Sequence, residues 1–254
     1  MRVAYFDCFS GIAGDMILGA LIDLGISEQF LKKELKKLPI SGYTLTVKHI
    51  TSQHIHAVDV TIAIQKEQCE RNLLDITAML EESTLPPSII QRSKDVFHRL
   101  AHAESRVHHV GIDEVHFHEI GAVDSIIDIV GSVIGLAHLD IEQIYCSPLP
   151  LGHGFVTCSH GVLPLPAPAT AELLKGVPVY SVDRTQELVT PTGAAIVTSL
   201  AAQFGEMPLM KVHKIGYGNG KIPSEYPNLL RVFLGEKVPS IKKKGPTRHH
   251  KIKK

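Results

Sequence analysis

Residues 2–24, RVAYFDCFSGIAGDMILGALIDL, decide how the rest of the chain is read. Arg2–Phe6 is a short apolar run of strand character, Asp7–Gly14 is a Gly-containing turn, and from about Asp15 to Leu24 the apolar spacing is helical. Gly25 then stands where a left-handed residue ends a helix. A strand that closes on a carboxylate and turns through Ser10, Gly11 and Gly14 into a helix start offers free backbone N–H groups and the positive end of a helix dipole. Both favour a phosphate. Asp7 and Asp15 would repel a bare anion, so a divalent cation between them and the phosphate suits the charges better. The stretch has neither Walker A nor GxGxxG spacing, and no Lys follows its glycines. A helix cap with a tight turn is an equally good reading.

A second helix is expected over about Glu28–Lys37, ended by Pro39. Thr44–Ile50 and Ala57–Ile64 alternate in β-branched residues and predict an antiparallel pair. Gln65–Asn72 is polar and is the best linker, so a subdivision of the chain near 65–72 is allowed. Leu74–Glu82 and Ser88–His108 are expected helices. His98, His102 and His109 can share a face of the latter, and with no acidic residue at matching spacing they read as exposed or packing residues. Asp124–Leu139 is an apolar helix in which Gly131 and Gly135, four apart, permit close packing within or between subunits. From Ile144 the texture changes to short strands, turns and prolines, with a short helix ending at Leu173–Lys175 and another over Pro191–Phe204. The fold class is therefore α+β or mixed α/β: an N-terminal βα unit, a helical middle and a loop-rich, β-containing second half.

The 254 residues, 44% hydrophobic and 20% charged, fit a soluble globular protein. No apolar run approaches the roughly 20 residues of a membrane span, and Asp7 interrupts any signal-peptide pattern. Cys8, Cys69, Cys146 and Cys158 form no CxxC pair, which argues against a zinc ribbon or a disulfide framework and points to a reducing cytoplasm. The formal net charge of zero divides unevenly. Residues 237–254 hold eight Lys/Arg and no Asp/Glu, leaving 18 basic against 26 acidic residues in 1–236. That divides the chain into a body, 1–236, and a basic tail that reads as a disordered, solubilising extension. No nucleic-acid module is visible.

Four blocks carry chemistry besides the first turn. In VHFHEIGAVDSIID (115–128), His116, His118, Glu119, Asp124 and Asp128 interleave with apolar residues. Mixed imidazole and carboxylate donors suit zinc, nickel, manganese or iron. His116 and His118 would face one way on a strand, and Asp124 and Asp128 share a helical face, where they can also cap or brace the helix. In 152–170, His153 sits between two glycines, His160 precedes another, and Pro164, Pro166 and Pro168 stiffen the chain into a helix start; Cys158 is a soft ligand or a buried thiol. ELVTPTGAA (187–195) sets Glu187 beside a helix start, with Thr190 as N-cap and Pro191 at the first helical position. Thr192 and Gly193 there make a second anion site. GYGNG (216–220) is a turn, and PNLLR (227–231) leads to Arg231, which can pair with a phosphate or a carboxylate.

FDCFSGIAGDM, HFHEIGAVDSIIDIVG, GHGFVTCSHGVLPLPAPAT, ELVTPTGAAI, GYGNG and PNLLR, in this order from Phe6 to Arg231, resemble the LarC family of nickel-inserting proteins. The resemblance implies a CTP-dependent cyclometallase of the lyase class. Such an enzyme places nickel in a pyridinium mononucleotide bearing two thiocarboxylates, the nickel-pincer cofactor of lactate racemase. Family members usually continue into a further C-terminal domain, so this chain either has lost the nucleotide function or is the N-terminal portion of a divided enzyme. CTP with Mg or Mn would then be bound by a C-terminal domain on another chain, and lactate racemase and a second copy of the chain are further partners. Metal donors would come from His116, His118, Glu119, His153, His160, Asp7 and Asp15. Glu119, then Glu187, would act as the base. Ser10, Gly11, Gly14, Thr190, Thr192, Gly193 and Arg231 would serve the substrate phosphate. A non-catalytic nickel carrier and a divalent-metal phosphohydrolase using Asp7, Asp15, His116 and Asp124 are the alternatives.

Overall fold

The computed structural model describes residues 1–65, 71–117, 122–158 and 161–239. In chain order the elements are β1 (Arg2–Asp7), α1 (Gly14–Asp23), α2 (Glu28–Leu35), β2 (Tyr43–Ser52), β3 (Ile55–Ile64), β4 (Arg71–Asn72), α3 (Leu73–Glu82) and α4 (Pro87–His108). A 3-10 turn at Ile112–Glu114 precedes β5 (His116–Phe117) and α5 (Val123–His138). The second half holds β6 (Gln143–Cys146), β7 (Leu149–Leu151), β8 (Phe155–Cys158), β9 (Gly161–Pro164), α6 (Pro168–Leu173), β10 (Val179–Ser181), α7 (Pro191–Leu200), β11 (Ala201–Phe204), β12 (Met210–Asn219) and β13 (Leu229–Lys237).

Seven strands form one mixed sheet in the order β11-β6-β1-β13-β12-β3-β2. β11, β6 and β1 run parallel, β13 lies antiparallel between β1 and β12, and β2–β3 is the expected antiparallel hairpin, turning through Gln53 and His54 at positive φ. The strands alternate: Ala4, Phe6, Val58, Val60, Val232 and Leu234 join the main core with the helices, whereas Val3, Tyr5 and Tyr145 form a small cluster of their own with Met210 and Phe233. Helix α1 lies on the sheet so closely that a Cβ on Gly218 of β12 would stand 1.8 Å from the Met16 carbonyl oxygen. Gly131 and Gly135 serve packing within the chain, against Leu18, Leu21 and Ile26. Among the described residues no helix is long and apolar enough to cross a membrane.

The mixed α/β class and the N-terminal βα unit are as expected. The helix expected over Pro191–Phe204 is not continuous. It ends at Leu200, Ala201 turns to extended dihedrals, and Ala201–Phe204 pairs in parallel with β6 at the sheet edge. Local helix propensity loses there to a ladder whose partner strand is more than fifty residues away. Most of the linker near 65–72 lies outside the described residues, as does the tail from Ser240 on.

Candidate functional site

The carboxyl ends of β1, β6 and β11 share one edge of the sheet, and the end of β12 and the start of β13 share it with them. This edge is where open α/β sheets expose backbone and loops to ligands. Three helix starts are stitched together there. The Ile12 amide donates to the Leu188 carbonyl at 2.8 Å and the Thr190 amide to the Ile12 carbonyl at 3.1 Å. A Cβ on Gly193, in the first turn of α7, would fall 2.5 Å from the Ile12 oxygen, and one on Gly14, the first residue of α1, 2.5 Å from the Asp128 carboxylate of α5. The Thr192 hydroxyl donates to the buried Ser125 hydroxyl at 3.4 Å, joining α7 to α5. Gly11, at φ 104°, lies against the Leu188 carbonyl. The glycines expected to cradle an anion thus make their close approaches to protein atoms, and the Thr190 hydroxyl accepts the Gly193 amide at 3.1 Å as an N-cap.

Two carboxylates, Asp128 and Asp15, lie half-buried at this junction. Asp128 Oδ1 is shielded from solvent and has no hydrogen-bond partner among the described residues. Burial holds its acid form well above the usual carboxylate range, the charges of Asp15 and Asp124 push it the same way, and Lys221 opposes them. Burial likewise pushes Asp15 up to about 6, against the pull of Lys221 and of the Met16 amide, which donates to its Oδ1 at 2.8 Å. Lys221 is engaged by Asp59 at 2.6 Å. Burial raises the Asp59 pKa, but hydrogen bonds from Lys221 and Asn219 outweigh it and hold the carboxylate below its ordinary range. Asp128 therefore does not cap its own helix; it presses on the start of α1. Asp124 accepts the Ser125 amide at 2.8 Å in the first turn of α5.

Asp7 is engaged elsewhere. Arg231 donates from Nε to Asp7 Oδ2 at 2.9 Å and from Nη2 to the same oxygen, with the guanidinium over the rings of Phe9 and Phe233. Of the two readings for Arg231, the carboxylate pair is the one formed. Asp7 and Asp15 are thus held by different partners, Arg231 and the Met16 amide. His153 meets Asp183 at 3.0 Å. Buried Cys8 and Cys146 bring their sulfurs to 3.6 Å, and burial, reinforced by Cys146, pushes the Cys8 thiol well up, so it is not an activated nucleophile. Glu187 is half-buried next to the Leu188 that clamps the first turn. β5 carries the His116 backbone opposite Asn72. His118, Glu119 and His160 lie outside the described residues, among which no three His, Cys, Asp or Glu side chains converge to hold a metal ion.

Sequence reasoning missed three features. Arg184 donates to the buried Ser10 hydroxyl at 2.8 Å and lies over the Tyr226 ring at 4.6 Å. The Asp59–Lys221 pair flanks Asp15 without any motif to announce it. Glu172 of α6 lines a surface cleft of about 440 Å³ with His98 and His102, supplying the acidic neighbour that local spacing lacks.

This is an α/β protein whose strand carboxyl edge gathers acidic, basic and hydroxyl side chains around three abutting helix starts, the layout of a ligand-handling site. The chain belongs to the nickel insertion protein family, which matches residues 4–253. A Dictyoglomus thermophilum protein named for nickel insertion is 52% identical over 96% of this chain and 63% of its own length. Pyridinium-3,5-bisthiocarboxylic acid mononucleotide nickel insertion proteins of Desulfitobacterium hafniense and Staphylococcus epidermidis are 47% and 46% identical over 93% and 92% of this chain. The chain spans about three-fifths of the length of these curated relatives. No solved structure matches it significantly.

Proposed function

We propose that this chain takes part in inserting nickel into a pyridinium-3,5-bisthiocarboxylic acid mononucleotide. The observation that carries this reading is the 47% identity, over 93% of the chain, to the Desulfitobacterium hafniense protein named for that reaction. Nickel is here a substrate. Two thiocarboxylate sulfurs and one ring carbon become its ligands, and the carbon–nickel bond forms as the ring C–H bond gives up its proton. The protein must present nickel on ligands weak enough to yield it to sulfur, which favours imidazole and carboxylate donors over a closed thiolate cage. His116, His118, Glu119, His153, His160, Asp7 and Asp15 are the donors in this proposal. Glu119 takes the ring proton, with Glu187 as the second candidate. CTP, with Mg or Mn, is assigned to a nucleotide-binding domain outside residues 1–254, and the product serves lactate racemase in the cytoplasm.

The test mixes the purified chain with that domain, CTP, magnesium or manganese, nickel and the thiolated mononucleotide, and reads activation of apo lactate racemase. Activation is expected with wild type and is expected to fall at least 10-fold in His116→Ala and His118→Ala, the low end of what removing a metal ligand's support costs. Undiminished activation by both variants would remove these histidines from the metal site. Nickel binding without conversion, with every component present, would favour a carrier role.

A further inference from the structure

Resting on the proposed mononucleotide substrate, we infer that the cleft between residues 183–186 and 223–226 binds it, with Arg184 holding the phosphate. The cleft measures about 680 Å³ and is lined by Asp183–Gln186 on one wall and Pro223–Tyr226 on the other. That volume lies within the range of small-molecule sites. Both walls are tied in place. The His153 amide donates to the Arg184 carbonyl at 2.9 Å, the Gln186 side chain to the Pro223 carbonyl at 2.7 Å, and the Gln53 side chain to the Glu225 carbonyl at 2.6 Å. Asn228 closes the second wall by donating to the Ile222 carbonyl at 2.9 Å.

Arg184 is the group that points to the ligand. It is half-buried, and its partners among the described residues are a neutral hydroxyl, Ser10, and an aromatic face, Tyr226. Arg231, by contrast, spends its charge on Asp7. A guanidinium 4.6 Å from a ring centroid and donating to a hydroxyl, with no carboxylate partner among the described residues, keeps donors in fork geometry for an oxyanion such as phosphate. The remaining wall chemistry has the opposite sign. Asp183 is fully exposed and meets His153 at 3.0 Å, and Glu225 and the exposed Tyr226 ring complete the rim. Carboxylates and an aromatic face suit a cationic ring. A ligand anionic at one end and cationic at the other, such as a pyridinium mononucleotide, matches the pattern; a simple polyanion would meet the rim carboxylates. Ser10 then gives the bound phosphate a direct link to the β1–α1 turn and the carboxylates behind it.

The test is calorimetric titration with two probes, a pyridinium-3-carboxylate mononucleotide and the same nucleoside without phosphate, against wild type, Arg184→Gln and Tyr226→Ala. Wild type is expected to bind the mononucleotide at least 10-fold more tightly than the nucleoside. Arg184→Gln is expected to abolish that difference, leaving nucleoside binding within about 2-fold. Tyr226→Ala, an exposed site that does not threaten folding, is expected to weaken both probes. A phosphate preference that survives in Arg184→Gln, in protein that melts like wild type, overturns the inference, as does failure of wild type to prefer the mononucleotide. Nickel insertion measured on the same wild-type preparation separates the two claims. Insertion that proceeds while Arg184→Gln keeps the phosphate preference moves the phosphate to another site and leaves the function standing. Absence of insertion despite Arg184-dependent binding removes the function and leaves the cleft.

Discussion

Asp15 and Asp128 show how much hangs on single side chains at the junction. Both are acids that burial holds in the protonated form to a higher pH than in an unfolded chain, Asp15 to about 6. The folded state therefore binds more protons than the unfolded state between the ordinary carboxylate range and about pH 6. Stability contributed by protonation is present at low pH and is lost as pH rises through that window. In metal-free protein, Asp15→Asn is expected to melt above wild type at pH 8, by on the order of 3 kcal/mol for a shift of about two pKa units. The gap should narrow towards pH 4, as read in thermal melts across that range. A variant less stable than wild type at pH 8 would show that the carboxylate is satisfied there. Gly14→Ala tests the neighbouring contact. Its new Cβ would meet the Asp128 side chain at 2.5 Å, Cβ included, so a loss of about 1–3 kcal/mol is expected by denaturant titration. Unchanged stability would mean that α1 and α5 can part. Neither residue is legible as a partner of the other in the sequence. More than a hundred residues separate them, and Asp128 looks from its spacing like a ligand or a brace on its own helix.

At the scale of elements, local chemistry was readable where it was self-contained. The β1–α1 unit follows from an apolar run, a Gly turn and a helical stripe within two dozen residues. The α7 start follows from Thr190 and Pro191, and the cap is made by the Thr190 hydroxyl and the Gly193 amide. Thr190→Ala is accordingly expected to cost about 1 kcal/mol, with Thr190→Ser largely retaining stability; equal melting of both variants and wild type would contradict the cap. What failed was the far end of the same helix. Ala201–Phe204 carries no strand signature, and only pairing with β6 makes it one. Arg184 escaped notice for a related reason. Its significance lies in Ser10 and Tyr226, which the fold alone brings to it.

For the whole molecule, the one-sided sheet directs the motif blocks towards a common edge. The turn after β1, the start of α5, the start of α7 and the loop before β13 come from four distant parts of the chain, and their packing is what the blocks share. Their order in the sequence was enough to suggest the family, because a combination of several weak motifs is specific even when each alone is generic. It could not say that Asp7 would answer Arg231 while Asp15 lay near Lys221 and Asp59, since pairing among acids and bases is set by three-dimensional packing. The central claim is that this edge helps to join nickel to a ring carbon. Mass spectrometry of the thiolated mononucleotide after incubation with the chain, its nucleotide-binding partner domain, CTP, magnesium and nickel tests it most directly. The expected result is a product that has gained one nickel, lost the ring proton and kept the metal through chelator treatment. Recovery of the mononucleotide with its ring C–H intact and its nickel removable by chelator would contradict it.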